Sequence, residues 1–178
     1  MIPNLRYFTL LLILLVLVVM PTGCVLLETD ENSPSALPEI YSCVNFDQQP
    51  QSARAVSVTD GDSIVVDIDG KKYNVRYIGI NTPELNSDEG ILAEHAASIN
   101  RDLVEDQTVL LFRDTSETDR HDRLLRYVFV NDVFVNYSLV EQGLAWQRGY
   151  PPDNACDDLF KQAQQNAKFR QVGIWKSQ

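Results

Sequence analysis

After residue 52 apolar and polar positions alternate along the chain with a period of two, and between about residues 86 and 103 the period becomes that of a helix. Ala53-Arg54-Ala55-Val56-Ser57-Val58 interleaves small or apolar residues with polar ones and leads into Thr59-Asp60-Gly61-Asp62. Ile64, Val66 and Ile68 share one face of the next strand, because side chains two apart point the same way. Asp69-Gly70 predicts a two-residue hairpin turn, since both residue types tolerate positive φ. On the return strand Tyr73, Val75 and Tyr77 share one face, so Arg76 points to the other. Past Thr82-Pro83-Glu84, Asn86 and Glu89 make a capping-box-like helix start. Leu92, Ala96, Ile99 and Leu103 then form one helical stripe.

Val109–Phe112 and Leu125–Val130 read as strands, with Asn131-Asp132 as the turn into Val133-Phe134-Val135. A short helix is predicted from about Asn136 to Gly143. A last helix runs from about Asp153 to near Gly173, with Cys156, Phe160, Ala163 and Ala167 on its buried stripe. A doubly wound sheet would alternate strand and helix, and this order does not. The reading is α+β, mainly β: a five-stranded OB-type barrel with about three packed helices. No internal repeat supports a solenoid.

The first residues follow another rule. Arg6 precedes an apolar run from Leu10 to Met20, then Pro21-Thr22-Gly23-Cys24. A positive start and a run of this length describe a secretory signal, whereas a membrane span needs about 20 apolar residues. Residues 1–23 are therefore expected as a signal peptide and 24–52 as a tether, leaving 53–178 as the folded domain. The residues before Cys24 resemble a lipobox, although Pro21 stands where an aliphatic residue is usual. Lipid on Cys24 would hold the protein at the membrane, and simple secretion or an uncleaved anchor are the alternatives. Export also leaves Cys43 and Cys156 as an even pair. A disulfide between them would close a loop of roughly 110 residues, with a nominal entropic gain of about 4–5 kcal/mol. A thiol count distinguishes that bridge from two free thiols.

The chain has 178 residues and a formal net charge of −10. Such a charge repels nucleic acid at long range and argues against a sequence-blind coating protein. It leaves room for an enzyme that gathers positive charge in one cleft. Arg113, Arg120, Arg123 and Arg126 fall within one short stretch, which charge alone would assign to a solvated hairpin.

Taken singly, Asp60-Gly61-Asp62 is a turn rich in turn formers. It is not an EF-hand, because Ile64 occupies a ligand position. The order of motifs is more specific: Thr59-Asp60-Gly61-Asp62-Ser63, then Arg76, then Ile78-Gly79-Ile80-Asn81-Thr82-Pro83-Glu84, then Thr118-Asp119-Arg120-His121-Asp122-Arg123. Together with Gly143-Leu144-Ala145 and Gly173-Ile174-Trp175, this resembles the thermonuclease family from about Ala53 to Trp175.

The resemblance implies a Ca²⁺-dependent endonuclease of low sequence specificity, leaving 3′-phosphates on DNA, with RNA open as a second substrate. It implies Asp62 as a carboxylate ligand, Thr82 as a carbonyl ligand, and Asp60 as holder of a metal-bound water or orienter of the turn. Asn81 departs from the family, whose best-known members carry Asp there; it keeps an oxygen but removes one negative charge. Arg76 and Arg123 would brace the phosphate, since a guanidinium donates two hydrogen bonds to phosphate oxygens. Glu84 would orient or deprotonate the attacking water. Arg120 and His121 lie where the family has a Lys-Tyr pair near a terminal phosphate, and Asp122 replaces a usual Gly. Tyr150 and Trp146 would stack on bases, or pack in the core. The protein is expected to act as a monomer. The competing readings are a barrel module that binds without catalysis and a structural envelope lipoprotein. The second leaves the acidic and Arg motifs unexplained.

Overall fold

A computed structural model describes residues 41–84 and 90–176, all of them in the unit Pro34–Gln178. The signal, the lipobox and the Asn86–Glu89 cap lie outside the described residues. Three antiparallel strands open the fold: β1 (Gln51–Asp60), β2 (Ser63–Ile68) and β3 (Lys71–Tyr77). Two-residue strand β4 (Ile80–Asn81) and helix α1 (Gly90–Val104) follow. Strands β5 (Thr108–Phe112), β6 (Leu124–Val130) and β7 (Val133–Phe134) complete the main sheet. Helix α2 (Val135–Glu141), strand β8 (Trp146–Gln147), helix α3 (Asp157–Arg170) and a 3₁₀ turn (Gly173–Trp175) end the order.

The strand order β3-β2-β1-β5-β6-β7 closes on itself because β3 also pairs with β6 in parallel. Five strands thus form a closed OB-like barrel, with three helices around it. The Asp69-Gly70 turn has positive φ at both residues, 53° and 83°, and pairs Ile68 with Lys71 across it. Asn131 at φ 50° turns β6 into β7 in the same way.

Inside the barrel, Ile64, Val66, Val75 and Tyr77 bury the face that their alternation predicts. The end of the barrel is filled by aromatic rings. Phe129 stacks on Phe134 at 4.4 Å, and Tyr127 and Phe160 pack around them. Removing such a buried ring costs about 3–5 kcal/mol.

Two elements differ from the pattern reading. On α1 the buried line is Ala93, Ala96, Ala97, Asn100 and Val104, and Leu92, Ile99 and Leu103 flank it half-buried. Small residues win the centre because the helix lies close to the acidic turn: a Cβ on Gly61 would stand 2.8 Å from that of Ala96. Helix α3 begins at Asp157, not near Asp153, because Asp153 is used as a buried acceptor for Thr115 and Ser116.

Of the span expected as a tether, residues 41–52 are described, and they pack on the barrel. Gln51 and Ser52 already pair with Leu111 and Leu110, and Val44 is 3% exposed. Tyr41 and Phe46 set their rings edge-on against Phe129. Cys43 and Cys156 form a disulfide, their Cα atoms 5.1 Å apart. Sparse aromatic anchors and one bridge fasten this segment, which is why no periodicity marks it.

Candidate active site

The site begins at the turn between β1 and β2. Register shifts between Ala55 and Ser57 and between Val58 and Asp60 bend β1 as it enters the turn. Asp60 Oδ1 accepts the Asp62 amide at 3.0 Å, which fixes the turn from within. Asp62 is 5% exposed, and its Oδ2 accepts from the Thr82 amide at 2.8 Å and from Arg76 Nη2 at 3.0 Å. Burial pushes the Asp62 carboxyl up to about 7; Arg76 and the Thr82 amide pull it down, and Asp60 adds to the rise.

Arg76 reaches this carboxylate because β2–β3 register sets it opposite Ser63. Its Nη2 also donates to Asn81 Oδ1 at 2.8 Å, and its Nη1 to the Tyr77 carbonyl at 3.1 Å. Asn81 in turn donates from Nδ2 to the Thr82 carbonyl at 3.2 Å. The carboxamide therefore bridges the guanidinium and the carbonyl expected as a ligand. Behind this cluster Asn100, fully buried on α1, accepts from Tyr77 Oη at 2.9 Å and donates to the Asp60 carbonyl at 3.1 Å.

The second half of the site rides on the loop before β6. Asp119 Oδ2 accepts from Arg123 Nε at 2.8 Å and Nη2 at 2.7 Å, and its Oδ1 takes the amides of His121 and Arg123. Partial burial raises the Asp119 carboxyl, but these hydrogen bonds and the Arg123 charge together hold it below the ordinary range. Asp122 sits at φ 59°, the left-handed geometry that glycine adopts without strain. Arg120 Nε donates to His121 Nε2 at 3.0 Å.

Asp60, Asp62, Arg76, Asn81, Glu84, Arg120, His121, Arg123 and Tyr150 all line one cleft of about 590 Å³. Thr82 is buried behind that wall. The four clustered arginines divide. Arg120 and Arg123 face the cleft, whereas Arg126 is 4% exposed and paired with Glu117, which also takes Arg113. Sequence reasoning held Asp119 within a motif but gave it no role, and it missed Asp153 as an acceptor and Asn100. Their signal was an acid or amide that a folded chain buries, which a linear pattern does not display.

Among the described residues no three His, Cys, Asp or Glu side chains gather as a metal cluster. The oxygen set here is two carboxylates, Asp60 and Asp62, with the Asn81 carboxamide and the Thr82 carbonyl. All are hard donors of the kind Ca²⁺ takes, and nitrogen and sulfur ligands are absent from the set.

A small closed barrel thus gathers acidic oxygens and two guanidiniums in one cleft, and a guanidinium can donate two hydrogen bonds to phosphate oxygens. The staphylococcal nuclease homologue family model matches residues 74–177, and the chain belongs to that family. It is 34% identical over 133 residues to the thermonuclease of Staphylococcus intermedius, covering 73% of this chain and 79% of that protein. The thermonuclease of Staphylococcus hyicus is 34% identical over 130 residues, covering 71% and 77%. Endonuclease YncB of Bacillus subtilis is 35% identical over 121 residues, covering 65% and 57%. Membership implies nuclease activity, a hydrolysis of nucleic acid.

Proposed function

We propose that the protein is a Ca²⁺-dependent endonuclease of low sequence specificity that hydrolyses DNA, with RNA as a second substrate. The observation that carries this reading is the convergence of Arg76, Arg123, Glu84 and the acidic oxygens on one cleft.

Asp62, Thr82 and Asn81 would hold the calcium ion, with Asp60 orienting the turn, and the bound ion would supply positive charge at the scissile phosphate. Arg76 and Arg123 present guanidiniums to the same phosphate from two directions and stabilise the charge that builds on its oxygens. Arg76 is held by Asp62 and Asn81, and Arg123 by Asp119, so each guanidinium is oriented before substrate arrives. Glu84, exposed on the cleft, orients the attacking water and takes its proton as the water oxygen bonds to phosphorus, while the bond to the leaving 5′-oxygen breaks and Arg123 stabilises that oxygen. Arg120 and His121 meet a neighbouring phosphate, and Tyr150, 56% exposed, meets a base.

We also infer that residues 1–23 export the chain and that lipid on Cys24 holds it at the membrane, secretion being the alternative. The Cys43–Cys156 disulfide suits an oxidising compartment. No helix among the described residues is long and apolar enough to cross a membrane. Mass spectrometry of the N-terminus distinguishes lipid from free release. The protein is expected to act as a monomer.

The test of the activity is hydrolysis of single-stranded DNA by the purified protein, with millimolar Ca²⁺ and with a chelator. Metal-dependent cleavage is expected, and folded protein that is silent in both would leave a binding module.

A further inference from the structure

Beside the cleft just described lies a second of about 440 Å³, and the two meet at Asn81 and Tyr150. They are joined through the backbone as well. Strand β4 pairs with β8 so that Asn81 stands opposite Trp146, and the Arg148 amide donates to the Gly79 carbonyl at 2.8 Å. Both tryptophans of the chain, Trp146 and Trp175, line this second cleft.

The two clefts differ in chemistry. The first is walled by Asp60, Asp62, Glu84, Asp119 and Asp153 among others. Among the described residues that line the second, none is acidic, in a protein with 25 acidic against 15 basic residues. Among the described residues its one charged wall residue is Arg148, whose guanidinium lies 5.6 Å from the centre of the Tyr150 ring. Lys168, not itself part of the wall, stands 4.4 Å from the ring centre of Trp175. Gln164 is fixed by accepting the Gln147 amide at 3.0 Å, which orients its carboxamide in the wall. Flat aromatic faces, cations over two of them and a fixed amide are what successive nucleobases and their phosphates bind.

We propose that this second cleft binds the single-stranded nucleotides flanking the scissile phosphate, with bases stacking on Trp146 and Trp175 and a phosphate on Arg148. The assignment rests on the nuclease reading above, and it adds a subsite that extends the strand past Tyr150.

Because both tryptophans line the cleft, intrinsic fluorescence reports on it directly. The full chain is titrated in chelator with a thymidine dinucleotide, a single-stranded oligothymidylate of eight units, and a duplex of the same length. The octamer is expected to quench the emission and to bind about tenfold more tightly than the dinucleotide, as one stacked base would give. Trp146→Ala and, separately, the exposed Arg148→Ala should each abolish most of that length dependence, and Trp146→Phe should keep it. With calcium present, the ratio of KM for dinucleotide to KM for octamer should fall from about ten toward one in both alanine variants. Equal binding of dinucleotide and octamer by the natural protein, or equal quenching by the duplex, would overturn the proposal. A chain that cuts nothing but shows the length-dependent quench sinks only the nuclease reading. One that cuts both lengths with the same KM and shows no such quench sinks only the second cleft.

Discussion

The two halves of the cleft are built by different means. Asp60, Asp62, Arg76 and Asn81 are set by strands: register places Arg76 opposite Ser63, and α1 presses on the turn through Ala96 and Asn100. Arg120, His121 and Arg123 ride on a loop whose shape comes from acid side chains accepting backbone amides, Asp119 within it and Asp153 beside it. The strand-borne half stands on the barrel core. The loop-borne half stands on a few local hydrogen bonds, each worth about 0.5–1.5 kcal/mol net, or more where an acceptor is charged.

Function should not respect this division. Arg76→Ala and Arg123→Ala should each lower turnover on single-stranded DNA by about 10²–10³-fold or more, with the far-ultraviolet dichroism of the natural protein. Near-normal turnover in either would mean that the half concerned has been misread.

Stability should respect it. Gly61→Ala would force a methyl group to within 2.8 Å of Ala96, in the rigid half, and should cost about 1–3 kcal/mol in global unfolding by urea. Asp153→Ala leaves the Thr115 and Ser116 amides without their acceptor, a similar nominal cost of about 1–3 kcal/mol. Its signature should be local, as faster hydrogen exchange at those two amides rather than across the barrel strands. If both variants loosened the molecule uniformly, the two halves would be one cooperative unit.

The halves also differed in how far the sequence disclosed them. Alternation identified β2 and β3, and with them the face of Arg76, because a barrel strand must bury every second residue. The Asp69-Gly70 turn was legible for a local reason, its tolerance of positive φ. By comparison Asp119 was legible only as a member of a motif and Asp153 only as a helix start, neither as an acceptor. An acid in a loop looks the same in sequence whether it is solvated or holding two amides. Helix α1 misled in a third way: its large apolar residues suggested the buried stripe, but proximity to Gly61 gave the centre to alanines. The cysteine pair was visible, and only the folded chain brings Cys43 to Cys156.

Asn81 lies within the strand-borne half and offers a finer test. Asn81→Asp restores a carboxylate beside Asp62 and removes the Nδ2 donor to the Thr82 carbonyl. Without calcium the variant should melt below the natural protein, because two neighbouring acids face one guanidinium. Calcium should raise its melting temperature more than it raises that of the natural chain, through linkage of binding to folding. An unchanged calcium response would contradict Asn81 as a ligand position.

The smallest expected effect is on the acid side of the pH profile. Asp119 has its folded pKa below the ordinary carboxylate value of about 3.9, so its contribution is complete above that pH and is lost as pH falls through the folded value. Melting temperatures followed downward from about pH 6 should therefore drop less steeply in Asp119→Asn than in the natural protein. Parallel curves would mean that Asp119 does not anchor the loop.

Whether the two halves act on one phosphate is decided by a double-mutant cycle on turnover. Groups that stabilise the same transition-state charge lose together, so Arg76→Ala/Arg123→Ala should be scarcely slower than the worse single variant. Full multiplication of the two single losses would show two guanidiniums working independently and would contradict a single shared site.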